Sequence, residues 1–444
     1  LKIAIIGGGI GGLATAYFLE QKNKDLNIKI FEGNDRLGGR ILTRQFNTVP
    51  IKYNAGVAEL YDILGEDEKG NDNLENMVDF LKIPKIEIHG FPMIAFGDLI
   101  IKNKDDIYKT FGKETADKIY SFIKLGKKFR KKTEYNKAGS EKDNNHPWFI
   151  RRFEDVLNDI KDEKAKHFLQ IKVHCDLATE PEKTNGTFAF DNILIDESEY
   201  LRMYTLKGTN ETLIKRLYTK LSSTKTYLES PVYGVNKNKS GYELTIRINK
   251  KKTIKQVFDV VVIATAHPCL KKIEFSDELK QKMENFYNHY DFDTHYLRAT
   301  LLFEDTFWRK VFNESYFILD SFGGCCVYDQ SEEGYGILSW LISGENALKL
   351  NPMQDNKIIE KVLNSLPAII KTEAKEKFLE GKIDRWMDSV SRQPGGTPIL
   401  PMIDRHFPDK ENNPNLLVVG DYLTDTTVNG SLLSAKIVAK QIIE

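Results

Sequence analysis

The chain predicts an α/β fold, in which a Rossmann-like dinucleotide-binding domain is joined to a second, mixed α+β domain. Three observations carry this. Residues 1–32 ("LKIAIIGGGIGGLATAYFLEQKNKDLNIKIFE") read as strand, glycine turn, helix, strand. The same grammar returns in the middle of the chain, where alternating strands lead to an apolar run at 260–264, and again at the end, where "NPNLLVVGDYLTDTTVNGSLLSAKIVAKQIIE" reads as strand, loop, helix. A length of 444 residues is more than one ordinary core takes, so the helical and mixed stretches in between are expected to form the second domain.

The first unit sets out a binding site in its own spacing. An apolar run over 1–6 is followed by Gly7, Gly9, Gly11 and Gly12 and then by the helical "LATAYFLE". Gly7, Gly9 and Gly12 fit GxGxxG, and each has a separate task. The first permits a tight turn, the second lets backbone approach a diphosphate, and the third lets helix and strand pack closely. The helix start offers unpaired N–H groups and partial positive charge to the same anion. Glu32 closes the second strand, where a carboxylate accepts hydrogen bonds from a ribose diol and repels a 2′-phosphate.

From 57 to 200 the pattern turns helical, in "ENMVDFLK", "TADKIYSFIKLGKKFRKK" and "FEDVLNDIKDEKAKHFLQIKV", with a polar gap over 134–146 that reads as a mobile loop. "KGTNETLIKRLYTKL" predicts a helix after a glycine turn. The stretch from Pro231 predicts strands with hairpin turns near 240 and 251. Between 270 and 380, "HYLRATLLFEDTFW" and "GYGILSWLISG" read as strands and "MQDNKIIEKVLNSLPAII" as a helix.

Composition excludes several function classes. Lys+Arg 64 balance Asp+Glu 64, so no global field favours nucleic acid or an anionic membrane. The basic run at 124–132, interleaved with Phe129 and Leu125, predicts a solvated helix face, with contact to an anionic membrane surface as the alternative. No apolar stretch approaches the ~20 residues of a membrane helix, and the strand-like start predicts no signal peptide. Cys175, Cys269, Cys325 and Cys326 form no CxxC pair and no metal-ligand spacing; reduced side chains and a cytoplasmic setting are expected.

Taken together, "GGGIGGLATAYFLE … FEGNDRLGGRI", the middle "VYGV … FDVVVIATA" and the closing "PNLLVVGDYLTDTTVNGSLLSAKIVAKQI" resemble the flavin amine oxidase superfamily, which includes protoporphyrinogen oxidases and carotenoid desaturases. The resemblance implies a GR2-type flavoprotein holding FAD. It places Arg36 and Arg40 near phosphate oxygens, with Gly38 and Gly39 letting the chain pass close to the cofactor. Asn54, Gly56 and Val57 match the segment beside the flavin ring, and Val232 the strand residue whose backbone meets adenine. Gly420 and Asp421 match the ribityl or phosphate side. Val428 and Asn429 open the last helix, whose N–H groups steady negative charge on the flavin. No cysteine stands at the motif positions used for covalent attachment, so FAD is expected to be non-covalent.

The sequence also departs from the family. The lysine that many amine oxidases place near the flavin corresponds to Arg298, counting back from Phe307 and Trp308. The paired aromatics that sandwich an amine fall at Pro398 and Thr427, neither of them aromatic. Trp386 and Tyr422 are candidates for a replacement aromatic wall, with domain packing as the alternative for Trp386 and a surface ion pair for Arg298. His174, His267 and His295 are further acid–base candidates.

The expected architecture is a discontinuous FAD-binding domain of 1–56, 203–268 and 382–444, with a substrate domain of 57–202 and 269–381. The resemblance implies hydride transfer from a C–N or C–C bond of a small-molecule substrate to the flavin, with O2 as a plausible electron acceptor. Two alternatives stay open: a desaturase or isomerase of a lipophilic polyene or porphyrinogen, and a flavin-binding protein without turnover.

Overall fold

The computed structural model describes all residues except 64–73, 89–91, 131–143, 197–199, 250, 313–314, 332–333 and 393–398. Most of the expected mobile loop at 134–146, and Pro398 with its flanking 393–396, lie outside the described residues.

The apolar runs that marked the first unit form a five-stranded parallel sheet. Its spatial order is Lys225–Tyr227, Asn27–Phe31, Lys2–Ile6, Val260–Ile263, Leu416–Val418. Ile3 faces Val260 and Lys2 faces Asn27 in parallel register. Ile3, Ile5, Ile28, Ile30, Val260 and Val262 are fully or almost fully buried, as strands covered on both faces must be. The first helix, Ile10–Lys22, and the last, Val428–Ile443, share one apolar cluster over this sheet. The two ends of the chain are therefore neighbours. A four-stranded sheet built around Val232–Asn238, Gly241–Ile248 and Lys252–Phe258 covers the other face.

The second half is organised on a seven-stranded mixed sheet in the order Phe378–Ser391, Asp293–Phe303, Gly336–Ser343, Cys325–Asp329, Tyr316–Leu319, Met93–Phe96, Leu99–Ile101. Alternation sends Leu297, Ala299 and Leu301 into a core with the helices Asp355–Asn364 and Ala368–Lys377. Helices Lys113–Phe129 and Glu163–Leu177 share a core with Ile318, Cys326, Tyr328 and Leu341 on the opposite face.

Several elements differ from the sequence reading. The long helical stretch from Phe153 breaks at Lys161, which has φ 51°, and restarts after Asp162, whose carboxylate accepts from the Ala165 N–H. The stretch from Gln354 becomes two helices because Pro367 cannot continue the first. Phe378–Ser391 is a 14-residue strand that the sequence reading omitted. It is an edge strand of the large sheet, although its second half lies in the segment assigned to the FAD domain. Leu60–Ile63 likewise pairs with Leu201–Leu206, a strand that straddles the expected boundary at 203. These pairings bring together segments far apart in the chain, and periodicity within one segment carries no signal for them.

Candidate functional site

One continuous cavity, about 580 Å³, runs from the carboxyl ends of the parallel strands to the face of the large sheet. At its strand end the glycine turn is laid out as the spacing requires. Gly7 has φ 111°, a conformation open to glycine. A methyl group on Gly12 would stand 2.1 Å from the Gly7 carbonyl oxygen, so helix and strand can only meet there without a side chain. At Gly9 a methyl group would meet nothing within 4 Å; the space beside it belongs to the cavity. No side chain caps this helix start at Gly9, which leaves its N-terminal dipole facing the same space.

Glu32 lines the cavity and is 7% exposed. Its Oε2 accepts from the Gly8 N–H at 2.7 Å and its Oε1 from the backbone and side chain of Asn34 at 2.8 Å. The second glycine pair docks on the first: the Gly38 N–H donates to the Gly8 carbonyl at 2.9 Å, and Gly38 and Gly39 line the cavity. Arg40 joins the two ends of the chain. Its Nη1 donates to Asp421 Oδ2 at 2.8 Å and to the Ser389 carbonyl at 2.6 Å, and Nη2 donates to Asp421 Oδ1. Burial alone would lower the Arg40 pKa, but Asp421 outweighs it and the guanidinium is held above its ordinary value.

Arg36 stands elsewhere. Its guanidinium donates to the carbonyls of Gly39 (2.7 Å), Leu37 and Ile41, and it is not among the cavity-lining residues. Its placement is that of a clamp on the glycine loop. Asn54 also lies behind the wall. Its Oδ1 accepts from the Asn210 N–H, and Asn210 Nδ2 donates to the carbonyls of Val57 and Ala58. Gly56 and Val57 do line the cavity, so Asn54 supports the segment from behind. Asn210 had no sequence signal beyond its place in a helix-opening turn.

Val232, with Pro231 and Tyr233, lines the far end beyond Glu32. Gly420, Asp421, Val428 and Asn429 line the opposite wall. Asn429 is committed to the fold: Oδ1 accepts from the Leu74 N–H and Nδ2 donates to the Tyr61 carbonyl. Thr427 caps the last helix by accepting from the Gly430 N–H. Asp425, which the sequence reading missed, lines the cavity and accepts from the Thr427 N–H and hydroxyl; burial pushes its carboxyl up to about 6. Behind this wall the Gly420 N–H donates to Ser434 Oγ, which bonds His406 Nε2, while His406 Nδ1 bonds the Met402 carbonyl. Burial lowers the His406 pKa to about 4, so the ring is neutral, with Nδ1 as donor and Nε2 as acceptor.

At the sheet end the cavity is walled by Tyr61, Tyr296, Arg298, Leu341 and Trp386, with Glu59 and Asp176 beside them. Arg298 sits opposite Leu341 and Asp384 in the strand register and is 2% exposed. It is buried, in contrast to the surface ion pair held as an alternative. Trp386 lines the cavity while its indole N–H donates to the Ala55 carbonyl at 2.8 Å, so wall and packing roles coincide. Tyr422 does not line the cavity. Its ring lies over Gly420, where a methyl group would meet it at 2.2 Å, and packs against His267 and Tyr290. The three histidines are also placed elsewhere: His174 bonds Glu180, His267 bonds Asp293 and the Tyr287 carbonyl, and His295 accepts from the Asp388 N–H. None of them lines the cavity.

A glycine turn and an open helix start at the switch of a parallel sheet, facing a cavity that continues into a side-chain pocket, are the geometry of a nucleotide-cofactor protein. A family model described as flavin containing amine oxidoreductase matches residues 110–443, and one described as an NAD(P)-binding Rossmann-like domain matches 5–63. The chain belongs to the flavin containing amine oxidoreductase family and is an FAD-dependent oxidoreductase of that superfamily. A triple mutant of putrescine oxidase, from a redesign of cofactor binding, superposes with TM-score 0.77 at 16% identity, covering 100% of this chain and 98% of that one. Cyclohexylamine oxidase from Brevibacterium oxydans IH-35A gives TM-score 0.72 at 15% identity over 100% of both chains. Among curated proteins, the coproporphyrinogen III oxidase of Staphylococcus aureus is 51% identical over 40 residues, 9% of each chain. Such matches span only about a tenth of either protein. Among the described residues no helix is long and apolar enough to cross a membrane.

Proposed function

We propose that the chain holds FAD non-covalently along the cavity and oxidises a C–N or C–C bond of a small organic substrate at its sheet end, with O2 as electron acceptor. The observation that carries this is the continuity of the cavity from Gly9 and Glu32 to Arg298 and Trp386. The residues fit the cofactor. The open space at Gly9 and the uncapped helix start suit a diphosphate, and Glu32 suits ribose hydroxyls. The Val232 backbone suits adenine, while Asp421, Val428 and Asn429 line the wall for the ribityl chain and ring. When bound, the flavin supplies hydride acceptance.

The chain's own residues bind, orient and exclude water. Trp386, Leu341 and Tyr296 form the wall against which a substrate is oriented. The Tyr296 hydroxyl donates to the Cys175 carbonyl at 2.7 Å and the Tyr61 hydroxyl to Glu59 Oε1 at 3.0 Å. Burial raises the pKa of both well above the ordinary value, so both remain protonated and neither serves as a base. The division of labour we propose keeps 1–56, 203–268 and 382–444 on the cofactor side and 57–202 and 269–381 on the substrate side, with Trp386 the contribution of the 382–444 segment to the substrate wall. Putrescine is the ligand in a structure of putrescine oxidase, and an amine is accordingly the first substrate class to test here.

The test is the absorbance spectrum of the purified chain, followed by anaerobic titration with amines, amino acids and lipophilic polyenes or porphyrinogens. Bleaching by an amine, and release of free FAD on mild denaturation, are expected. Bleaching by a polyene or porphyrinogen alone would replace this reading with the desaturase one. Failure to bind FAD at all would end it.

A further inference from the structure

We infer that the substrate carries two opposite charges, a cationic amine received by Glu59 and an anionic group received by Arg298, as in an amino acid. The inference rests on the FAD-oxidoreductase reading above and names the ligand class of the same site.

The argument begins with what each charge at the sheet end already has for company. Asp191 lines the cavity but is held by Arg130, with Nε and Oδ1 2.8 Å apart and both residues buried. Arg298 is different. Its guanidinium donates from Nη1 to the neutral Ser339 hydroxyl at 3.1 Å and lies 5.7 Å above the Tyr328 ring. No carboxylate stands within 4 Å of it among the described residues. The acid opposite it in the strand register, Asp384, feels its charge but is bound directly by Arg44 at 2.6 Å, so one carboxylate serves two arginines. Glu59 has a complementary vacancy. Its Oε1 accepts from Tyr61, while its Oε2 is buried without any partner.

A buried guanidinium hydrogen-bonded to no carboxylate and a buried carboxylate oxygen with no donor each cost free energy. They line one cavity and do not pair with each other. The phenols around them do not alter this count: Tyr61, Tyr296 and Tyr328 are kept neutral by burial. Asp176 adds a second carboxylate to the wall that holds Glu59. A simple monoamine would satisfy Glu59 and meet repulsion from Arg298. A neutral polyene would leave both groups unsatisfied. A ligand with both charges completes both.

The test uses the FAD-loaded protein under anaerobic conditions and reads the perturbation of flavin absorbance on titration with hexylamine, hexanoate, norleucine and 6-aminohexanoate. At least one of the two bipolar probes should bind at least about tenfold more tightly than either singly charged probe. Arg298→Gln should abolish the advantage over hexylamine, and Arg298→Lys should restore part of it. Glu59→Gln should abolish the advantage over hexanoate. Unchanged flavin content in these variants separates charge recognition from folding. Hexylamine binding as tightly as both bipolar probes, or a bipolar advantage that survives either neutral substitution, would overturn the inference. A protein that takes up no FAD would overturn the cofactor reading on which it rests.

Discussion

At the glycine end of the cavity the wall is mostly backbone, and its shape comes from side chains that are missing. At the Trp386 end the wall is side chains drawn from separate strands and helices. Gly7, Gly9 and Gly12 lie within six positions and act through one turn, so their geometry is local. Tyr61, Tyr296, Arg298, Leu341 and Trp386 are spread over more than three hundred positions and meet only because the large sheet and the parallel sheet face one cavity. The lesson concerns tolerance. A site built from backbone is specified by spacing and fails abruptly when a side chain is added. A site built from distant side chains can change its chemistry one residue at a time while the cofactor stays in place.

That contrast can be broken by substitution, and the largest effect is expected at Gly12. Gly12→Val drives a side chain into the Gly7 carbonyl and should cost about 3 kcal/mol or more, seen as loss of folded protein in denaturant titration. Gly9→Val points into open cavity and should leave the stability of the cofactor-free chain nearly unchanged, while FAD affinity measured by fluorescence falls at least about a hundredfold. If both substitutions destabilise the cofactor-free chain equally, Gly9 is a packing glycine and the cradle argument fails.

Arg40→Ala leaves Asp421 buried without its cation and should cost about 2 kcal/mol in thermal unfolding, with a matching loss of FAD retention. The His406 network sharpens the same comparison through pH. The folded pKa is lowered to about 4, below that of the unfolded chain, so its stabilisation is complete above about pH 6.5 and is lost as pH falls toward 4. The parent should therefore lose about 3 kcal/mol more stability across that window than His406→Gln does; equal slopes would remove His406 from the account. The smallest effect belongs to the other end. Trp386→Phe removes the hydrogen bond to Ala55 and should cost only about 1 kcal/mol, with FAD retained and the rate of flavin reduction by substrate altered.

The cofactor end was legible because its signals sit close together in the chain. Gly7, Gly9, Gly12, Glu32, Gly38 and Arg40 fall in forty residues, and each lines the cavity or shapes the turn beside it. Two neighbours show the limit of that reading. Arg36 and Asn54 lie within the same motifs, yet their side chains turn onto loop carbonyls and onto Asn210. A motif gives position along the backbone and leaves the direction of a side chain to its surroundings. Tyr422 was misplaced for the same reason, since two residues of glycine and aspartate chemistry gave no clue that its ring covers Gly420.

The sequence by itself determined the glycine turn and the strands of the parallel sheet, and its resemblance to a flavin family implied that the opening and closing segments meet, as they do along one cavity. The turn and the strands follow from short-range spacing and from short apolar runs bounded by turn signals. Tertiary structure alone decided which charges share the substrate end. The sharing of Asp384 between Arg44 and Arg298, and the unpartnered oxygen of Glu59, arise from contacts that join residues far apart in the chain. Burial converts such an arrangement into recognition, because a charge that lacks a partner inside a protein must find one in its ligand.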